Sequence, residues 1–187
     1  IIIAIISWIE FYALISKIIK KDYLKDKLLR FFYKTLSLFY LSGLVYLILA
    51  IESGYSDLRI YLIYSVLIAI MSDIGGLIFG KIFKGKRLTK ISPNKTISGS
   101  IGSFIFSISL IPFFYKSQFD QNLINIFIIT IIISLTSQLG DLFISLLKRK
   151  AKVKDTSDLL PGHGGVLDRI DGIIFAIPLG IYLFIIT

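Results

Sequence analysis

The sequence contains no cysteine, one histidine, one methionine, one tryptophan and four prolines in 187 residues. Without cysteine there is neither a disulfide framework nor a thiolate metal site. A single histidine, His163, is too little for zinc, which takes three or four nitrogen, sulfur or oxygen ligands. Acids are scarce as well: 12 Asp and Glu stand against 21 Lys and Arg, a formal charge of +9. No internal repeat, low-complexity linker or long polar stretch marks off a second domain, so residues 1–187 read as one unit. The chain begins at Ile1 inside an apolar run and has no initiating methionine. Residues 1–6 therefore read as the tail of a span rather than a signal peptide, and the chain as N-terminally clipped.

Apolar residues are abundant: 55% of the chain is hydrophobic and 14% aromatic, with a mean hydropathy of +0.82. A soluble domain holds about 45–50% apolar residues. Six apolar runs, near 1–16, 35–51, 59–80, 97–115, 122–147 and 172–187, are separated by charged stretches. Runs close to 20 residues cross the hydrocarbon as helices, because every backbone donor and acceptor must there be satisfied within the segment. The predicted fold is all-α, a polytopic integral membrane bundle of about six transmembrane helices. Nineteen of the 21 basic residues fall in the stretches 17–34, 81–95 and 148–171, which alternation places on one side. The positive-inside rule makes that side cytosolic, with both ends of the chain on the other. It also accounts for the basic excess without nucleic acid as a partner. The short fourth loop carries only Lys116 and Asp120.

Acids inside apolar runs are expensive, at least ~2.5–3.5 kcal/mol at the bilayer centre, and so mark functional candidates. Glu10, in W-I-E-F-Y, reads equally well as an interfacial helix-end residue. Asp73 lies in M-S-D-I-G-G, two turns before Lys81, and reads as interfacial or functional. Asp141 is the strongest candidate. Ser134, Ser137, Gln138, Asp141 and Ser145 recur at spacings of three and four, which sets them on one helix face. That stripe must face protein or water, and is expected to line an aqueous cleft open to the cytosol. Gly75 to Ile82 nearly matches a P-loop, G-x-x-x-x-G-K-[ST]. The match is rejected, because Ile82 replaces the metal-binding hydroxyl and the segment is a span, whose glycines serve close helix packing.

The stretch around loop 148–171 holds most of the charge. Lys148, Arg149, Lys150, Lys152 and Lys154 are followed by Asp155, Asp158, Asp168 and Asp171. Pro161-Gly-His163-Gly-Gly165 reads as a tight turn, suited to bringing backbone N–H groups to a phosphate, with His163 as a proton donor, a phosphate contact or a plain loop residue. Asp168 and Asp171 stand at i and i+3, on one face if a helix has begun. With Asp141 they offer hard oxygen donors that suit Mg2+. In the third basic stretch Pro93 disfavours helix at Ser92, and Thr96 or Ser98 caps the next span. The helix start behind Lys95 suits a phosphate.

These blocks resemble the phosphatidate cytidylyltransferase (CDP-diacylglycerol synthase) family. The family's C-terminal signature stands here as Ser145-Leu-Leu-Lys148-Arg149, Lys154-Asp155, Pro161-Gly-His163-Gly164-Gly165 and Asp168-Arg169-Ile-Asp171. Ser72-Asp73 followed by Phe79-Gly80, and Ser92-Pro93-Asn94-Lys95-Thr96, resemble two further family elements. Departures occur at Gly76-Leu77, where Ala-Tyr is usual, at Ile97-Ser98-Gly99, where Trp-Glu-Gly is usual, and at Ile144, where a Glu is common. The likeness covers roughly residues 72–182 closely.

The resemblance implies a membrane-embedded catalytic domain with its signature loop at 141–172. It implies the reaction of CTP with phosphatidate to CDP-diacylglycerol and pyrophosphate, on Mg2+ with or without a second cation. Asp141 and Asp168 are then the metal ligands, with Asp171 beside them. Lys148, Arg149, Lys154 and Arg169 hold phosphates and His163 assists. Asp73, Ser92, Lys95, Thr96 and Ser145 contact substrate. The implied partners are CTP, phosphatidate and membrane lipid, with a homodimer as one allowed assembly, in the bacterial plasma membrane with the site facing the cytosol. Rival readings are a CDP-archaeol synthase or polyprenol kinase of similar build, and an ion-coupled transporter.

Overall fold

The computed structural model describes residues 1–20, 23–115, 122–162 and 164–187. Eight helices follow in order: α1 (Ile2–Ile18), α2 (Leu24–Ser53), α3 (Arg59–Phe83), α4 (Ile97–Ile108), α5 (Ile111–Phe114), α6 (Leu123–Lys150), α7 (Leu167–Ile170) and α8 (Ile173–Ile186). Among the described residues there is no strand, only the isolated bridges Arg87–Thr96 and Leu160–Gly164. Five stretches are long and apolar enough to cross a membrane: Leu24–Ser53, Arg59–Phe83, Ile97–Phe114, Leu123–Lys150 and Leu167–Ile186. With the 17-residue α1 they form the expected all-α bundle of an integral membrane protein.

Helix ends differ from the apolar runs. The first basic stretch is mostly helical, because Lys25, Lys27, Arg30 and Lys34 belong to the first turns of the 30-residue α2. Nothing between Leu24 and Lys34 breaks a helix, so charge alone does not end one. At the other end of the bundle α6 runs through Lys148, Arg149 and Lys150, cations that suit the negative end of a helix dipole. The run 97–115 bends at Ser109 and Leu110, between α4 and α5. Lys21, Asp22, Lys116 and Asp120 lie outside the described residues.

Glycines set the closest crossings. On α3, Gly75 and Gly76 meet Gly99 and Gly102 of α4: a Cβ at Gly75 would lie 2.8 Å from Phe106 Cβ, and one at Gly99 2.8 Å from the Gly76 carbonyl. Small residues let two membrane helices touch backbone to backbone, the role expected for these glycines. A second crossing joins α6 to α8, where a Cβ at Gly140 would lie 2.8 Å from the Asp171 carbonyl and one at Gly172 would strike Ser137. Around these crossings Tyr64, Ile68, Ile126, Ile129, Ile133 and Phe184 are buried together. Buried hydroxyls bond one another: Tyr64 with Thr130 at 2.7 Å, Ser134 to Ser72 at 3.2 Å and Ser107 to Ser134 at 3.0 Å.

The polar stripe of α6 thus faces protein, while Leu135, Leu139 and Phe143 on the other side are exposed to lipid. It does not line an open cleft along its length. Ser134, Ser137 and Gln138 are packed between helices, and only Asp141 and Ser145 are half-exposed.

Candidate active site

At the end of α6, Asp141, Ser145 and Lys148 follow at spacings of four and three and share a face. Ser145 Oγ donates to Asp141 Oδ1 at 3.3 Å, and the other Asp141 oxygen is ion-paired with Lys95. Asp171, in the turn between α7 and α8, and Asp73 of α3 both lie within electrostatic reach of Asp141. Two helices and one interhelical turn therefore bring three acids toward one end of the bundle. The crossings at Gly75–Gly102 and Gly140–Gly172 make that convergence possible.

Asp168 occupies the neighbouring position. Lys148 Nζ donates to its Oδ1 at 2.5 Å, and their side chains are only 12% and 7% exposed. Its Oδ2 accepts from Thr156 N at 2.8 Å, Thr156 Oγ1 at 2.9 Å and Gly165 N at 3.0 Å. Lys148 also lies within electrostatic reach of Asp171. Asp168 belongs to the single turn α7 and Asp171 follows it with helical dihedrals, so both acids are presented toward the end of α6.

Among the described donors of the Pro161–Gly165 turn, Gly164 N donates to Leu160 O at 3.1 Å and Gly165 N to Asp168. Just after the turn, Val166 N and Leu167 N donate to Glu10 at 3.0 and 2.8 Å. Gly162 and Gly164, at φ +73° and +82°, take the left-handed conformation that favours glycine. His163 lies outside the described residues.

The third basic stretch closes over the end of α6. Arg149 Nε donates to Ile91 O at 3.4 Å, and Lys95 N bonds Ser92 O at 3.1 Å across Pro93-Asn94. Thr96 caps α4, accepting from Gly99 N at 3.1 Å, so its hydroxyl is engaged in the fold. Ser92 is half-buried in the turn, its amide on Thr89 Oγ1 at 3.3 Å. Lys95 is the one residue of this block brought onto an acid of the cluster. Lys154, Arg149 and Arg169 are exposed on the surface of this end.

Glu10 and Thr156 adjoin Asp168 and its loop, and the motif reading leaves them without a role. Glu10 carried a signal, an acid inside an apolar run, but its spacing names no partner. Two buried atoms beside the cluster, Ser137 Oγ and Gln138 Nε2, have no hydrogen-bond partner, although Gln138 Oε1 accepts from Ser100 at 2.5 Å. Among the described residues no set of three or more acidic or histidine side chains is arranged to hold a metal ion by itself.

A bundle of membrane-spanning helices that gathers acids and lysines at one end, under a folded charged loop, is an integral membrane protein. The chain belongs to the cytidylyltransferase family, whose family model it matches over residues 1–187. It is similar to the phosphatidate cytidylyltransferase of Staphylococcus haemolyticus, 44% identical over 126 residues, 66% of this chain and 48% of that protein. The Staphylococcus aureus protein of the same name is 44% identical over 121 residues, 64% and 46% of the two chains. That of Rickettsia bellii is 46% identical over 124 residues, 59% and 54%. The chain spans about half the length of the curated relatives it matches.

Proposed function

We propose that this chain carries the catalytic part of a phosphatidate cytidylyltransferase, making CDP-diacylglycerol and pyrophosphate from CTP and phosphatidate at the cytosolic face of a bacterial plasma membrane. The observation that carries the reading is Asp168 held between Lys148 of α6 and the signature loop, with the same lysine within electrostatic reach of Asp171. The relatives bear the activity in their printed names.

In the proposed reaction an oxygen of the phosphatidate phosphate attacks the α-phosphorus of CTP. A new P–O bond forms, the bond from the α-phosphorus to the bridging oxygen breaks, and pyrophosphate leaves with that electron pair. The attacking oxygen is already ionised near neutral pH, so no strong general base is required. The barrier lies in bringing one anion to another, which cations overcome by neutralising and orienting both.

The donor set fits Mg2+. Its donors are hard carboxylate oxygens, and Mg2+ is held by one or two carboxylates with substrate phosphates and water rather than by an all-protein cage. Gln138 Nε2 and Ser137 Oγ lie near these acids without a hydrogen-bond partner among the described residues. Asp141 and Asp168, with Asp171, would hold the ion, with or without a second cation. When bound it supplies neutralisation and orientation of phosphate oxygens. Lys95 and Lys148 now rest on Asp141 and Asp168. A triphosphate arriving with a metal competes for those ammonium groups, so the lysines pass from carboxylate to phosphate. Lys154, Arg149 and Arg169, at the rim, draw CTP in, and Asp73 adds negative charge behind the cluster.

The test is direct. Protein in vesicles of phosphatidate and phosphatidylcholine, given α-labelled CTP and Mg2+, transfers label to a lipid and releases pyrophosphate. Unlabelled lipid with intact CTP, or transfer only to an archaeol phosphate or a polyprenol, overturns the assignment.

A further inference from the structure

Glu10 is the feature that the proposed chemistry leaves unused. It lies in the middle of α1, outside the signature, and is 4% exposed. Among the described residues it has no ion-pair partner. Four neutral donors surround it instead. Ser157 Oγ and Val166 N donate to Oε1 at 2.6 and 3.0 Å. Thr156 Oγ1 and Leu167 N donate to Oε2 at 2.9 and 2.8 Å. All four come from the two ends of the signature loop, two from its entry and two from its exit. A buried carboxylate is costly unless its lone pairs are taken, and here the loop alone takes them.

Two more observations tie Glu10 to the reacting end. Thr156 Oγ1 is 2.9 Å from both Glu10 Oε2 and Asp168 Oδ2, so one hydroxyl proton is shared between the two carboxylates. A Cβ on Gly165 would lie 2.6 Å from each Glu10 oxygen. The last glycine of H-G-G is thus required by an acid more than 150 residues earlier in the chain. The same face of α1 carries Leu14, which packs with Ile144 and Leu147 of α6, Leu167 and Ile174. The helix is seated on the site by an apolar contact and joined to the loop by a polar one.

We infer that Glu10 is a positioning residue: it clamps residues 156–157 to residues 166–167 and thereby holds Thr156 and Gly165 where they orient Asp168. This deepens the cytidylyl-transfer reading and rests on it for the effect on turnover, while the clamp itself is tested without substrate. It acts through Asp168 and touches no substrate.

The experiment uses the cysteine-free chain in vesicles with one cysteine introduced at Ala151, which is 6% exposed and packs with Leu14 and Leu167, and a control cysteine at the exposed Tyr55. Maleimide labelling reads loop opening. Glu10→Ala should raise the labelling rate at position 151 about tenfold or more and leave position 55 unchanged, since several hydrogen bonds are lost together. Ser157→Ala, which removes one donor and leaves Asp168 untouched, gives a smaller rise and guards against a Glu10→Ala protein that fails to insert. Gly165→Ala should reproduce Glu10→Ala, and the double variant should open no further, because both break one clamp.

In turnover, Glu10→Ala lowers kcat with at most a small change in the KM for CTP, and Glu10→Gln, which keeps one acceptor oxygen, recovers part of it. Labelling that stays at the parent rate in Glu10→Ala and Ser157→Ala overturns the clamp. So does loop opening with undiminished kcat. If the parent protein makes no CDP-lipid yet the loop opens in both variants, the clamp stands and the cytidylyl-transfer reading falls.

Discussion

Replacing Asp168 by Asn tests the site where its electrostatics are most exposed to measurement. The substitution keeps the shape and one acceptor oxygen, which the Thr156 and Gly165 amides will claim. The new NH2 group then faces the Lys148 ammonium, where a carboxylate oxygen stood at 2.5 Å. Both side chains are largely buried, at 12% and 7% exposure, so surface screening does not soften the change. Removing one partner of a buried pair costs about 3–5 kcal/mol. At the lower end of that range the loss is ~3 kcal/mol. For a chain of this size each kcal/mol moves the midpoint about 2–4 °C, so Asp168→Asn should melt roughly 6–12 °C below the parent.

Pairing it with Lys148→Met removes both charges, and such replacements are close to neutral. The double variant should therefore recover most of the lost stability. Turnover behaves differently. Asp168→Asn should lower kcat by about two orders of magnitude or more, the scale seen when a preorganised electrostatic group is lost, and the double variant should not restore it. Melting of the protein in lipid discs and the vesicle assay read the two quantities separately. A melt of Asp168→Asn within ~2 °C of the parent, against the loss expected for a broken buried pair, refutes the reasoning. So does a double variant less stable than either single one.

The crossing of α3 and α4 makes a second prediction. Gly102→Ala puts a Cβ into Phe79 and the Gly75 carbonyl and should cost about 1–3 kcal/mol of stability. At Gly43 nothing lies within 4 Å, so Gly43→Ala should be neutral or stabilising by up to ~1 kcal/mol; equal melts for the two deny the tight crossing. Lys154 is exposed, so Lys154→Ala should leave the melt unchanged and raise the KM for CTP more than it lowers kcat, as for a contact made equally in ground and transition states. A fall in kcat alone would place Lys154 on the reacting phosphate. Orientation is checked with single cysteines at Tyr55 and Asp158, which should label from opposite sides of the membrane; labelling from one side contradicts the span count.

Much of the fold is legible in the chain because hydrocarbon leaves the backbone few choices. An apolar run near 20 residues is a helix there, and a stripe such as Ser134–Gln138–Ser145 cannot face lipid. The charged signature is legible as a site for the same reason, since mixed charge beside apolar spans has a desolvation cost that structure alone does not need. Helix ends are less visible. Lys25 to Lys34 look like loop and lie in α2, because a helix that has left the membrane goes on until a turn residue or cap stops it.

Composition and spacing alone determine that this is an all-helical membrane bundle, that its basic residues gather in three stretches, and that Asp141, Asp168 and Asp171 are candidate donors. The tertiary structure alone decided how those acids are used. It brings Asp168 onto Lys148 and Asp171 within reach of Asp141, directs the Gly165 amide to Asp168, and brings Glu10 to the loop. Spacing specifies which residues share a helix face, a relation set by the backbone over one or two turns. Which groups meet across 150 residues depends on how closely helices cross, and here the glycines at 75, 99, 102, 140 and 172 set that distance.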